Sequence, residues 1–172
     1  MKRLGFLVLA ACVMTAGCDD DPTGPTNLPL VFTANMRATN ETSAVTGPES
    51  AGTGAATVTI NVTRDSANNI TGGTVDMNFQ VLNLPTTTNI ILAHIHVGPA
   101  AVAGPVVVDT GLRPTAPMPV AGNGTLQFNV TGVTASVDLL NQIIANPAGY
   151  YFNVHSQQHA GGVVRGQLTR VQ

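Results

Sequence analysis

The side chains best able to do chemistry in this chain are four histidines, and they fall in two pairs. His94 and His96 lie in Ala93-His94-Ile95-His96-Val97-Gly98-Pro99-Ala100, while His155 and His159 lie in and just after Tyr150-Tyr151-Phe152-Asn153-Val154-His155. On an extended strand alternate side chains share a face, so His94 and His96 point one way and Ile95 the other. Two imidazoles at that spacing are suited to sharing one metal ion, with a third ligand from another strand. His155 is the candidate third ligand, on the same face as Tyr151 and Asn153. His159, in the following loop, is a further candidate. The mature chain offers no thiol and few acids, so such a site would be built from histidine, or histidine and water. That favours copper or zinc over calcium or magnesium. Nothing else in the sequence demands a cofactor.

A second reading stands beside this one. Buried imidazoles need hydrogen-bond partners, and neighbouring amides and backbone groups provide them without any metal. Pairing the last two strands through a turn at 156–161 sets Asn153 nearly opposite Arg165. It also gathers His155, Asn153, Arg165 and Gln167 into one polar patch, with Arg165 free to brace carbonyls or to pair with Glu41. Enzyme motifs are thin: there is no Gly-rich phosphate loop, no G-x-S-x-G and no H-E-x-x-H. The expectation is a protein that is not an enzyme.

The elements that must carry these residues read as short strands. Val75, Met77, Phe79 and Val81 alternate with Asp76, Asn78 and Gln80, a period of two that defines a half-buried strand over 74–82. Val58, Ile60 and Val62 do the same over 55–63, and the two strands form a predicted hairpin. Further strands are predicted at 30–39, 89–97, 105–109, 124–130, 150–155 and 163–170, with loops at 42–54 and 113–122. Residues 134–145 differ: Val137, Leu140, Ile143 and Ile144 recur at helical spacing, and Pro147 ends the run. The predicted fold class is all-β, an antiparallel β-sandwich or barrel of about eight strands with one short helix near 134–145.

Composition agrees with that class. Charged residues make up 9% of the 172, well below the roughly 25% usual in globular proteins, while 44% are hydrophobic. The formal charge is −2, and Lys2 and Arg3 both lie in the N-terminal leader. Beyond them remain five arginines and nine acids, and no basic patch to follow a phosphate backbone; nucleic acid is excluded as a partner.

The leader has a charged start, an apolar core over 4–17 and small residues before Cys18. Residues 1–17 are read as a signal peptide, too short in its apolar run to span a bilayer. Ala16-Gly17-Cys18 resembles a bacterial lipobox, with Thr15 where Leu is usual. Cys18 is accordingly the predicted lipidation site, giving an exported protein held to a membrane on its extracytoplasmic side (periplasm or cell surface). Residues 18–29 form an acidic tether bearing Pro and Gly, and 30–172 the folded domain.

The combined motifs resemble the CHRD domain, first described in the animal protein chordin and widespread in bacterial secreted proteins. The matching residues are Asn40-Glu41, Ala93-His94-Ile95-His96 with Gly98-Pro99-Ala100, Tyr151-Phe152-Asn153-Val154-His155-Ser156, and Gly162 with Arg165-Gly166-Gln167-Leu168. The resemblance runs from about Leu30 onward. Val97 is an insertion relative to the family pattern, Ala160 and Val163 replace Pro and Glu, and Thr42-Ser43 stand where a Pro pair is usual. The resemblance implies a lipid-anchored, non-catalytic binding or structural module whose partner is an unidentified protein or small ligand. The alternative is a copper- or zinc-binding domain. A more distant one is a redox enzyme, because the His-x-His strand is also similar to that of copper–zinc superoxide dismutase.

Overall fold

The structure is a computed structural model that describes residues 27–172. The predicted signal peptide, the predicted lipidation site Cys18 and most of the predicted tether therefore lie outside the described residues. Ten strands form one antiparallel sheet. Eight make a continuous path: β5 (Val106–Asp109), β4 (Asn89–Val97), β8 (Tyr150–Ser156), β9 (Val164–Gln167), β1 (Leu30–Arg37), β2 (Thr53–Arg64), β3 (Ile70–Leu82) and β7 (Leu126–Thr134). Two short strands stand off this path, β6 (Met118–Pro119) against β4 and β10 (Thr169–Arg170) against β1. The sheet curls into a nearly closed barrel. Phe79 of β3 and Phe152 of β8, four strands apart along the path, bring their rings to 5.4 Å across the interior.

The alternation read from the sequence is the alternation of burial. Val58, Ile60 and Val62 of β2, and Val75, Met77, Phe79 and Val81 of β3, point inward and are buried. Their hairpin register is set at the turn, where the Asp65 carboxylate accepts from the backbone N–H groups of Ala67 and Asn69. Asp76 is likewise structural. It accepts from Asn61 Nδ2 at 2.9 Å and from Gly132 N–H at 2.7 Å, where a bulge interrupts the β3–β7 ladder.

The helix α1 (Val137–Ala145) starts at Ser136, whose hydroxyl accepts from Leu139 N–H, and it buries Leu140 and Ile143 against the barrel. It begins three residues later than the span read from periodicity, because Ser136 caps it. The predicted last strand, 163–170, is broken into β9 and β10. Leu168, between them, turns into the core and donates its N–H to Tyr150 O. The predicted loop at 42–54 contains a 3-10 turn, Gly47–Ala51, and β2 already starts at Thr53. Among the described residues no helix is long and apolar enough to cross a membrane.

Because Phe79 touches both Phe128 and Phe152 in the middle of this core, Phe79→Ala is expected to cost about 3–5 kcal/mol. Urea denaturation of the two proteins measures it.

Candidate functional site: a buried polar wall

Strands β4, β8 and β9 bury both of their faces. Ala93, Ile95, Phe152, Val154 and Val164 face the barrel core, whereas His94, His96, Tyr151, Asn153, His155 and Arg165 face the other way and are buried too. Register fixes their neighbours. His94 lies opposite Asn153 and His96 opposite Tyr151; Asn153 in turn lies opposite Arg165, and Tyr151 opposite Gln167. On the far side of β4, His94 lies opposite Asp109.

This outward face is covered by backbone. The β4–β5 connection, residues 98–105, is held by Arg165, whose Nη2 donates to Pro99 O and Val102 O, both at 2.8 Å. The guanidinium lies 3.4 Å from the centroid of the Tyr151 ring, and that ring stacks on His96 at 4.9 Å, 9° from parallel. Gly104 completes the cover: its N–H donates to the Tyr151 hydroxyl and its carbonyl accepts from His96 Nδ1 at 2.9 Å. Only glycine fits there, since a Cβ would collide with Val97 O. Gln167 ties a second turn, with its amide nitrogen close to the carbonyls of Gly98, Ala148 and Tyr150.

Three of the four candidate histidines converge. One ring nitrogen from each of His94, His96 and His155 lies within 4.8 Å of the others. His155 Nδ1 donates to Ala160 O at 3.0 Å, as His96 Nδ1 does to Gly104 O. Each of these rings therefore keeps its proton on Nδ1 and turns a bare Nε2 toward the cluster. His96 Nε2 is buried and has no hydrogen-bond partner. His94 Nδ1 lies 3.3 Å from His155 Nε2, and its other nitrogen lies 3.7 Å from the Asp109 carboxylate, which Arg113 also holds. His96 and His155 thus each have a carbonyl behind the ring and a bare Nε2 in front, the pattern in which outer partners orient metal ligands, while His94 Nδ1 is hydrogen-bonded to His155 Nε2. Burial pushes the pKa of all three below the usual histidine value, His155 to about 4. Opposing influences are weaker: the Asp109 charge raises His94, and carbonyl acceptors raise His96 and His155. Neutral imidazoles are the form that binds metal.

His159 is elsewhere. Its Nδ1 donates to Glu49 at 2.6 Å and its Nε2 accepts from Thr46 N–H at 3.1 Å, so both ring nitrogens are occupied. Glu49 is fully buried and also accepts from Thr88 and Ser156, clamping the 47–51 turn where β4 begins and β8 ends. Glu49 was not among the residues singled out from the sequence. It lies in a loop without periodicity, and its histidine partner is 110 positions away.

Glu41 completes the polar patch from the β1 side. Beside it, Asn40 Nδ2 donates to Arg165 O. The Glu41 carboxylate and the Asn153 amide nitrogen meet over Gly162, where any Cβ would collide with both. Burial raises the Glu41 pKa from 4.5 to about 7, against the lowering effect of the Arg165 charge and of Asn153. Glu41, Arg165 and Gln167, with Ala100 and Ala101, line a cleft of about 420 Å3.

A nearly closed antiparallel barrel carrying a histidine-rich polar wall under a Gly-Pro loop defines the class of this chain. It belongs to the CHRD domain family, whose pattern matches residues 32–168. No curated protein matches the sequence. Where the family pattern has Glu, Val163 here is buried in the core and donates its N–H to Val154 O, so no carboxylate enters the site at that position.

The raised pKa of Glu41 has a definite sign for stability. The protonated form is favoured in the fold, so its contribution is complete below about pH 4.5 and is lost as pH rises through about 7. Glu41→Gln, which stays neutral, is expected to match the parent near pH 5. At pH 8 it should exceed the parent by on the order of 1 kcal/mol, solvent screening having reduced the effect. Denaturation midpoints at the two pH values read the difference.

Proposed function

We propose that this CHRD domain is a non-catalytic binding module of the cell envelope whose ligand is a copper or zinc ion held by His94, His96 and His155. The observation that carries this reading is the convergence of three neutral, buried imidazoles, with His96 Nε2 unpartnered and aimed into the cluster. An unpartnered buried acceptor costs about 1–3 kcal/mol, and a cation relieves that cost. All-nitrogen ligation suits borderline and soft metals and disfavours calcium or magnesium. A lipid on Cys18 would keep the module on the extracytoplasmic side of a membrane; that part of the reading is supported by the sequence alone. A dismutase-like redox role receives less support, because the Arg165 Nη2 is engaged by two carbonyls.

Calorimetry on full-length protein purified without a histidine tag is expected to give one equivalent of Zn2+ or Cu2+. The double variant His94→Ala/His96→Ala should lose binding, and unchanged binding by it would sink the proposal. Affinity should hold on acidification past pH 6.5 and collapse toward about pH 4, where His155 takes up its proton. His159→Ala is expected to lower stability by about 1–3 kcal/mol, since it leaves a buried carboxylate short of a donor, yet to keep the full metal equivalent.

A further inference from the structure

Asn153 is 3% exposed, and its side-chain oxygen has no hydrogen-bond partner. Its amide nitrogen is directed to the Glu41 carboxylate, which reaches it from the β1 side of the wall. Asn153 lies between His94 on β4 and Arg165 on β9. With the nitrogen committed toward Glu41, the oxygen is the end of the amide left without a partner. His94 is its direct partner in register, and side chains so paired have their Cβ atoms roughly 4.5–5.5 Å apart. His155 lies two residues along the same strand face. The hydrogen bond from Asn153 lowers the Glu41 pKa, as a donated N–H does, so the nitrogen is the end of the amide that faces Glu41.

The wall therefore holds three buried side-chain acceptors without donors, Glu41 Oε1, His96 Nε2 and Asn153 Oδ1; the last two sit on the paired strands β4 and β8, and His94, two residues from His96, lies directly opposite Asn153. One cation satisfies His96 Nε2 and Asn153 Oδ1 at once. We propose that Asn153 is the fourth donor of the histidine site and that its amide oxygen completes an N3O set for a divalent, four-coordinate ion of the Zn2+ type. The assignment rests on the metal reading above. It narrows that reading, because an oxygen donor favours Zn2+, Co2+ or Cu2+ over Cu+, which is satisfied by soft donors at lower coordination number.

Full-length protein, stripped with a chelator, is titrated with Zn2+, Co2+ and, under reducing conditions, Cu+. In Asn153→Leu the Zn2+ affinity is expected to fall 10- to 100-fold and the Co2+ d–d absorption to shift, with Cu+ affinity within about twofold of the parent. Asn153→Asp restores an oxygen donor and adds charge, so it should bind Zn2+ at least as tightly as the parent, with its own altered Co2+ spectrum. Co2+ spectra identical to the parent in both variants, or Zn2+ affinity unchanged in Asn153→Leu, would overturn the assignment of Asn153 alone. A parent protein that binds none of the three ions overturns the histidine site itself.

Discussion

A sheet face can be buried with polar side chains only if each finds a partner, and the Arg165 guanidinium meets much of that condition for β4, β8 and β9. It is 2% exposed, so its charge has been taken out of water. That is costly unless the donors are used and the cation is stabilised. Here two loop carbonyls accept from it and the Tyr151 ring lies flat against it. The same contacts seat the 98–105 connection, and that connection brings the Gly104 carbonyl to His96. Remove the guanidinium and the loop, the Tyr151 stack and the orientation of His96 lose their common support.

The arrangement separates two jobs that the sequence places side by side. The inward residues of β8, Phe152 and Val154, fill the barrel, while Tyr151, Asn153 and His155, one position out of phase, build the wall. Histidine chemistry therefore sits on a rigid, fully paired strand. Likewise the Glu49–His159 pair, which resembles a catalytic pairing on paper, is spent on anchoring a turn: both nitrogens of that ring are occupied.

Much of this was legible beforehand because it depends on a period of two. The core faces of β2 and β3, the shared face of His94 and His96, and the opposition of Asn153 and Arg165 all follow from alternation and one short turn. What alternation does not carry was missed. The partners that set the tautomers of His96 and His155 are backbone carbonyls, which have no side-chain signature. Asp109 reaches the His94 side through a ladder with a bulge, so counting residues does not predict the pairing. Glu49 is buried by contacts with residues 39, 107 and 110 positions away.

The β4–β5 connection contributes carbonyl oxygens and one amide N–H rather than side chains, through Pro99, Val102 and Gly104. Its information content is accordingly in its length and its glycines. Ala100, Ala101 and Val102 are exposed, so packing constrains their side chains little, although the positive φ of Ala101 (62°) disfavours β-branched residues there. Deleting any one of them would move the Gly104 carbonyl relative to that of Pro99 and so set the partners of His96 and Arg165 against each other. In this fold the site is tuned by the spacing of a loop, a quantity that residue-by-residue comparison of side chains does not register.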